Sequence, residues 1–148
     1  MTTVTVNPAI PTRTSRFAVG LAVLRGVVGV VFLMHGYQKL FQMGIPGVSG
    51  FFTQSGVPLP QLTAPLVSVL EFGGGLALIL GLLTPVVAAL LAADMLGAIL
   101  LLHLPNGFYA ADGGYEYVLT LFGASLALAL TGPGAYALDA VLGRARRS

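Results

Sequence analysis

Val69-Leu70-Glu71-Phe72-Gly73-Gly74-Gly75-Leu76-Ala77-Leu78-Ile79-Leu80 sets one carboxylate in an otherwise apolar run. With its flanks the run is long enough to cross a bilayer as a helix, which takes roughly 20 residues. A charge at the centre of such a helix costs about 2.5–3.5 kcal/mol on insertion scales. Glu71 therefore needs a partner from another part of the chain. What stands opposite it decides how the helices assemble.

Composition places the whole chain in lipid. Of 148 residues, 56% are hydrophobic and only 8% charged, against roughly 25% charged in an ordinary soluble domain. So few charges cannot cover the surface of a soluble protein this size. Cysteine is absent, which excludes disulfides, Cys-based zinc sites, cysteine-ligated iron–sulfur clusters and a thiol relay carried by this chain. The net charge is +2, and no basic patch with interleaved aromatics marks a nucleic-acid surface.

Four apolar segments have spanning length: about 16–41, 62–83, 85–104 and 114–130. Thr84-Pro85 reads as an N-cap followed by proline at the first helical position. Pro105-Asn106-Gly107 and Gly132-Pro133-Gly134 stop the third and fourth spans. The first segment is too long for the apolar part of a signal peptide, contains Arg25 and lacks a small-residue cleavage site, so it reads as a retained helix. The expected fold is all-α, a four-helix transmembrane bundle. A polar Thr/Pro-rich lead-in occupies 1–15, the four-span membrane domain 16–142, and a basic tail 143–148. Arg13 and Arg16 precede the first span and Arg144, Arg146 and Arg147 follow the fourth, whereas the opposite loops offer only Lys39. The positive-inside rule then puts both termini in the cytoplasm. The uncharged 42–61 loop, rich in Gly and Pro, is expected at the headgroup level or folded back over the bundle.

Arg25, Glu71 and Asp94 fall within spans one, two and three. None faces lipid cheaply, so they are expected to turn inward as a buried ionic cluster, Arg25 between the carboxylates or one carboxyl protonated. Gly74 and Gly75 follow Glu71 at i+3 and i+4, and Gly29 follows Arg25 at i+4. Small residues beside a charge let two helix backbones approach until the side chains meet. The bland alternative is a staple that only sets helix register.

A second polar group lies toward the outer side. His35, Gln38 and Lys39 end span one, His103 and Asn106 end span three, and Glu116 opens span four. Alternating topology brings these ends together as a polar mouth, with Tyr37, Tyr115 and Tyr117 around it as belt aromatics. Asp94 and His103 are nine residues apart, about 900° of rotation, which puts them on opposite faces of a straight helix. Two histidines without metal-ligand spacing do not make a metal site. A quinone head needs only one or two donors, which His35, Gln38 or Lys39 supply.

Arg25-Gly26, His35-Gly36-Tyr37-Gln38-Lys39-Leu40-Phe41, Glu71-Phe72-Gly73-Gly74, Gly81-Leu82-Leu83-Thr84, His103, Asn106-Gly107-Phe108, Gly113-Gly114-Tyr115-Glu116-Tyr117, Gly132-Pro133-Gly134 and Leu138-Asp139 together resemble the DoxX family of small prokaryotic four-helix membrane proteins. The resemblance covers about 16–142. Family members often carry arginine after Leu-Thr, where this chain has Pro85. The resemblance implies a multi-pass protein of the cytoplasmic membrane in a redox setting: thiosulfate:quinone oxidoreduction, or partnership with oxidative-stress enzymes. It transfers no catalytic residue.

Three functions stay open. One is a subunit of a quinone-linked redox system; with no cysteine, haem-attachment motif or nucleotide fingerprint, its electrons pass directly from substrate to quinone or through a partner enzyme. Another is a non-catalytic membrane scaffold that recruits a soluble or membrane redox enzyme. The third is a proton or small-solute transporter, for which a homo-oligomer would provide room. No covalently bound cofactor is expected, and a quinone is the candidate ligand.

Overall fold

A computed structural model describes residues 13–145, with side chains over 16–141. The expected lead-in and basic tail therefore fall largely outside the described residues. The described residues form helices joined by turns and short irregular connections, with no strand among them. Helix α1 runs Arg13–Tyr37, α2 Gly44–Gln54, α3 Pro60–Leu80, α4 Thr84–Ala98, α5 Glu116–Thr131 and α6 Leu138–Ala145. Two π-helical segments interrupt the series, Gln38–Met43 after α1 and Ile99–His103 after α4.

Three helical stretches are long and apolar enough to cross a membrane: Arg16–Gln54, Pro60–Leu80 and Thr84–Asn106. The fourth, α5, is apolar but has only 16 residues, about 24 Å at 1.5 Å per residue. Helix α1 packs on α3, α3 on α4, α4 on α5 and α5 on α1, closing a four-helix ring. The α3–α4 corner is tight. Gly81 adopts the left-handed conformation at φ 73°, and Leu82 N donates to Ala77 O at 2.9 Å, the reverse turn that ends many helices. Leu83, also left-handed, caps α4, so Thr84 is already its first residue and Pro85 its second.

Burial inverts the soluble pattern. Val23, Val27, Val30, Leu62, Leu66 and Val69 are exposed, while Arg25, Ser68, Glu71, Thr84 and Ser125 are buried. Lipid is as apolar as a leucine core, so apolar faces gain nothing by turning inward, and small and polar residues choose the packed face instead. The core holds Val28, Phe32, Leu78, Leu91, Met95, Leu121 and Leu128 between the four helices.

Helices α1 and α3 meet backbone to backbone. A Cβ on Gly29 would come within 2.8 Å of Gly75 O, one on Gly75 would overlap Leu33 N, and one on Gly36 would overlap Phe72 N. The expected approach through Gly29 and Gly75 is present. Gly74 instead faces Val87 and Leu91 of α4. These contacts set an antiparallel register in which Gly29 lies opposite Gly75 and Gly36 opposite Phe72.

The 42–61 segment is mostly helical rather than loop. Gly44, at φ 69°, turns the chain out of the first π segment into α2. Val48 and Phe52 of α2 bury against Val57 and Ala64, so the segment does fold back over α3. Gly36→Ala or Gly75→Ala should lower stability in detergent by about 1–3 kcal/mol, the usual range for overpacking. Gly73→Ala, where an added Cβ meets nothing within 4 Å, should leave stability unchanged or raise it by up to about 1 kcal/mol. Thermal melting of the three variants checks the contrast.

Candidate functional site

Glu71 is paired with Lys39, not with Arg25. The Lys39 ammonium donates to Glu71 Oε2 in a salt bridge, with the Lys39 side chain 19% exposed and that of Glu71 only 4%. Register explains the choice. Arg25 and Lys39 sit 14 residues apart along α1 and its π extension, about 21 Å at helical rise. The glycine contacts bring Lys39, not Arg25, level with Glu71. The expected Arg25–Glu71 pairing is corrected accordingly.

Arg25 serves the other end of the bundle. Its Nη1 donates to Pro133 O and its Nη2 to Tyr136 O at 2.9 Å. A Cβ on Gly81 would meet the guanidinium carbon at 2.9 Å, so glycine there leaves room for it. Asp139 adds electrostatic attraction. Buried, Arg25 ties the α5–α6 turn to α1; the Gly132-Pro133-Gly134 motif supplies one of the two carbonyls it holds, and Tyr136 the other.

Asp94 completes a trio with Lys39 and Glu71. Its carboxyl lies beside that of Glu71 and within the field of both Glu71 and Lys39. Its Oδ2 is buried and has no hydrogen-bond donor among the described residues. An unsatisfied buried polar atom costs roughly 1–3 kcal/mol, a cost that a ligand hydrogen bond would remove.

This trio lines a cavity of about 710 Å³. The wall is mainly apolar: Phe32, Met95, Leu101 and Leu121 from the ring, and Val48, Phe51 and Phe52 from α2. Five of the six expected mouth residues line it, His35, Gln38, Lys39, His103 and Asn106. The ionic cluster and the mouth, expected apart, are one site with Arg25 left out. Glu116 does not line it; at the first turn of α5 its carboxylate suits the positive end of the helix dipole. Tyr117 lines the cavity in its place, with its ring 6.2 Å from that of His35. The sequence put Tyr117 around the mouth only as a belt aromatic and did not mark it as part of the cavity wall. Nor did the loop-like composition of 42–61 reveal that α2 forms a wall.

Asp94 and His103 share the cavity although a straight helix separates them. The π segment Ile99–His103 is the cause. One inserted residue turns everything after it back by about 100°, leaving about 80° between the two side chains. His103 is then fixed by its neighbour across the rim: Nδ1 lies 2.8 Å from Gly113 O. A carbonyl only accepts, so Nδ1 carries the proton, and in the neutral ring Nε2 is the acceptor. Asn106 Nδ2 donates to the same carbonyl at 3.3 Å. Among the described residues no group of three His, Asp or Glu side chains is placed to hold a metal ion.

The DoxX family model matches residues 20–104, more than half of the chain. The chain belongs to the DoxX family. It is 37% identical over 128 residues to the inner membrane protein YqjF of Escherichia coli, a match covering 85% of this chain and 94% of that protein. It is 37% identical over 123 residues to a Bacillus subtilis protein named "Putative oxidoreductase CatD", covering 83% and 87% of the two. A second Escherichia coli inner membrane protein, YphA, is 30% identical over 124 residues, covering 80% and 87%. No solved structure matches. As in this DoxX-family chain, a buried lysine–carboxylate pair can hold two helices only while both partners are present. Lys39→Met and Glu71→Gln should each cost roughly 2–4 kcal/mol, and the double variant should lose at least about 1 kcal/mol less than their sum. Arg25→Gln combined with Glu71→Gln should be additive within about 0.5 kcal/mol. Melting temperatures of the full set of variants separate the two patterns.

Proposed function

We propose that this DoxX-family protein is a subunit of a quinone-linked redox system of the prokaryotic cytoplasmic membrane, serving sulfur-compound oxidation or oxidative-stress defence. The observation that carries the reading is the cavity. At about 710 Å³ it lies within the range of small-molecule sites, roughly 300–1,000 Å³, that combine apolar walls with a few placed polar groups. It is walled by the helices of a membrane protein, a setting that suits a lipid-soluble ring with an isoprenoid tail. Phe32, Phe52 and Leu121 suit the ring faces, and Lys39, His35, Gln38 and Tyr117 its oxygens. When bound, the quinone supplies the two-electron chemistry that the chain's own side chains lack. The name of the relative CatD supports a redox role.

The arginines at the two ends of the chain support an orientation with both termini cytoplasmic. The cavity, at the opposite end of the bundle from Arg25, then faces the outer leaflet. A substrate or partner enzyme would meet it there, and electrons would enter from that side.

Purified protein should melt at a higher temperature with a short-chain benzoquinone analogue present. Gly97 lines the cavity, and a Cβ there meets nothing within 4 Å, so Gly97→Leu should fold while projecting into the space. The stabilisation should fall at least about tenfold in apparent affinity in that variant, because filling a site removes its ligand without touching its polar groups. No shift with any quinone analogue in the parent protein would defeat the reading.

A further inference from the structure

The cavity's polar atoms are not evenly divided between donors and acceptors. The Lys39 ammonium only donates and is already engaged by Glu71, while the Gln38 amide and the Tyr117 hydroxyl serve either way. The Asn106 amide hydrogens are directed to Leu102 O and Gly113 O, at 3.4 and 3.3 Å. Against these stand two fixed acceptors. His103 commits Nδ1–H to Gly113 O, which leaves Nε2 of the neutral ring with a lone pair. Asp94 meets the Glu71 carboxyl, and its Oδ2 finds no donor.

The Asp94 acceptor survives any placement of a proton shared with Glu71. A carboxyl–carboxyl hydrogen bond holds one proton between two oxygens. Whichever oxygen of Asp94 takes part, the other remains bare and can only accept. If Asp94 carries no proton, both of its oxygens accept. Lys39 balances only one of the two carboxyls, so the trio does not attract an anion.

Building on the quinone-site reading, we propose that Asp94 accepts a hydrogen bond from a hydroxyl of the bound ring, so that the cavity takes the hydroquinone in preference to the quinone and discriminates against anionic ligands. A hydroquinone brings two O–H donors to a site with spare acceptors. A quinone brings only acceptors, and leaves the buried Asp94 oxygen unpaired.

The test is calorimetric titration, under argon, of the detergent-solubilised protein with a benzoquinone bearing one isoprenyl unit and with its hydroquinone. The hydroquinone should bind about tenfold tighter or more, the usual weight of a hydrogen bond to a charged group. In Asp94→Asn, which replaces part of the acceptor with an amide donor, the ratio should fall to within about threefold. If Asp94→Asn cannot be purified, Asp94→Ser carries the same expectation. Equal or tighter binding of the quinone by the parent protein overturns the inference while leaving the quinone site standing, as does a preference that persists in either variant. Failure of both ring forms to bind overturns the site reading and the inference together.

Discussion

A salt bridge between Lys39 and Glu71 organises this bundle, because neither charge has a tolerable alternative. In hydrocarbon the unpaired glutamate would have to be neutralised or withdrawn, and the lysine would snorkel out to the interface. Held together, they bind the π extension of α1 to the middle of α3. Their position is possible only because Gly29, Gly36 and Gly75 let the two helices touch along their backbones. A lysine and a glutamate on helices at ordinary spacing would leave a gap that neither lipid nor water fills well.

The two π segments do related work at the two sides of the cavity. One carries Lys39 and the other ends in His103. Each changes the helical phase, so residues that a regular helix would scatter are gathered around one space. The remaining wall comes from α2, turned back by Gly44 to bury Val48 and Phe52. Arg25 lies at the far end and holds the chain reversal after α5. Two charge clusters with separate duties thus sit in one small bundle: one fastens the closed end, and the other lies in the wall of the open end.

Much of the architecture was legible in the residues. The helical spans follow from hydropathy, and the family from short motifs spread across the chain. The polar rim followed from counting which helix ends share a side. Pairing was harder. Arg25 looked like the partner of Glu71 because both lie inside spans, but position within a span says little about register between spans. The register was in fact written in Gly29, Gly36 and Gly75, which can oppose each other in only a few ways. Opposite faces for Asp94 and His103 followed from an uninterrupted 3.6-residue repeat, and the apolar run Ile99-Leu100-Leu101-Leu102 carries no mark of a π turn. Composition likewise hid α2, since Gly44, Pro46, Gly47 and Gly50 resemble a loop.

The absence of cysteine permits a direct reading of who faces whom. Cysteines would be introduced in pairs at positions 39 and 71, and at 25 and 71, and treated in native membranes with a bifunctional thiol reagent about as long as the two side chains that meet there, since a direct disulfide needs Cα atoms within about 7 Å. The 39–71 pair should be bridged within one chain, with a shift in mobility, and the 25–71 pair should not. Cross-linking of 25 to 71 with none between 39 and 71 would contradict the account.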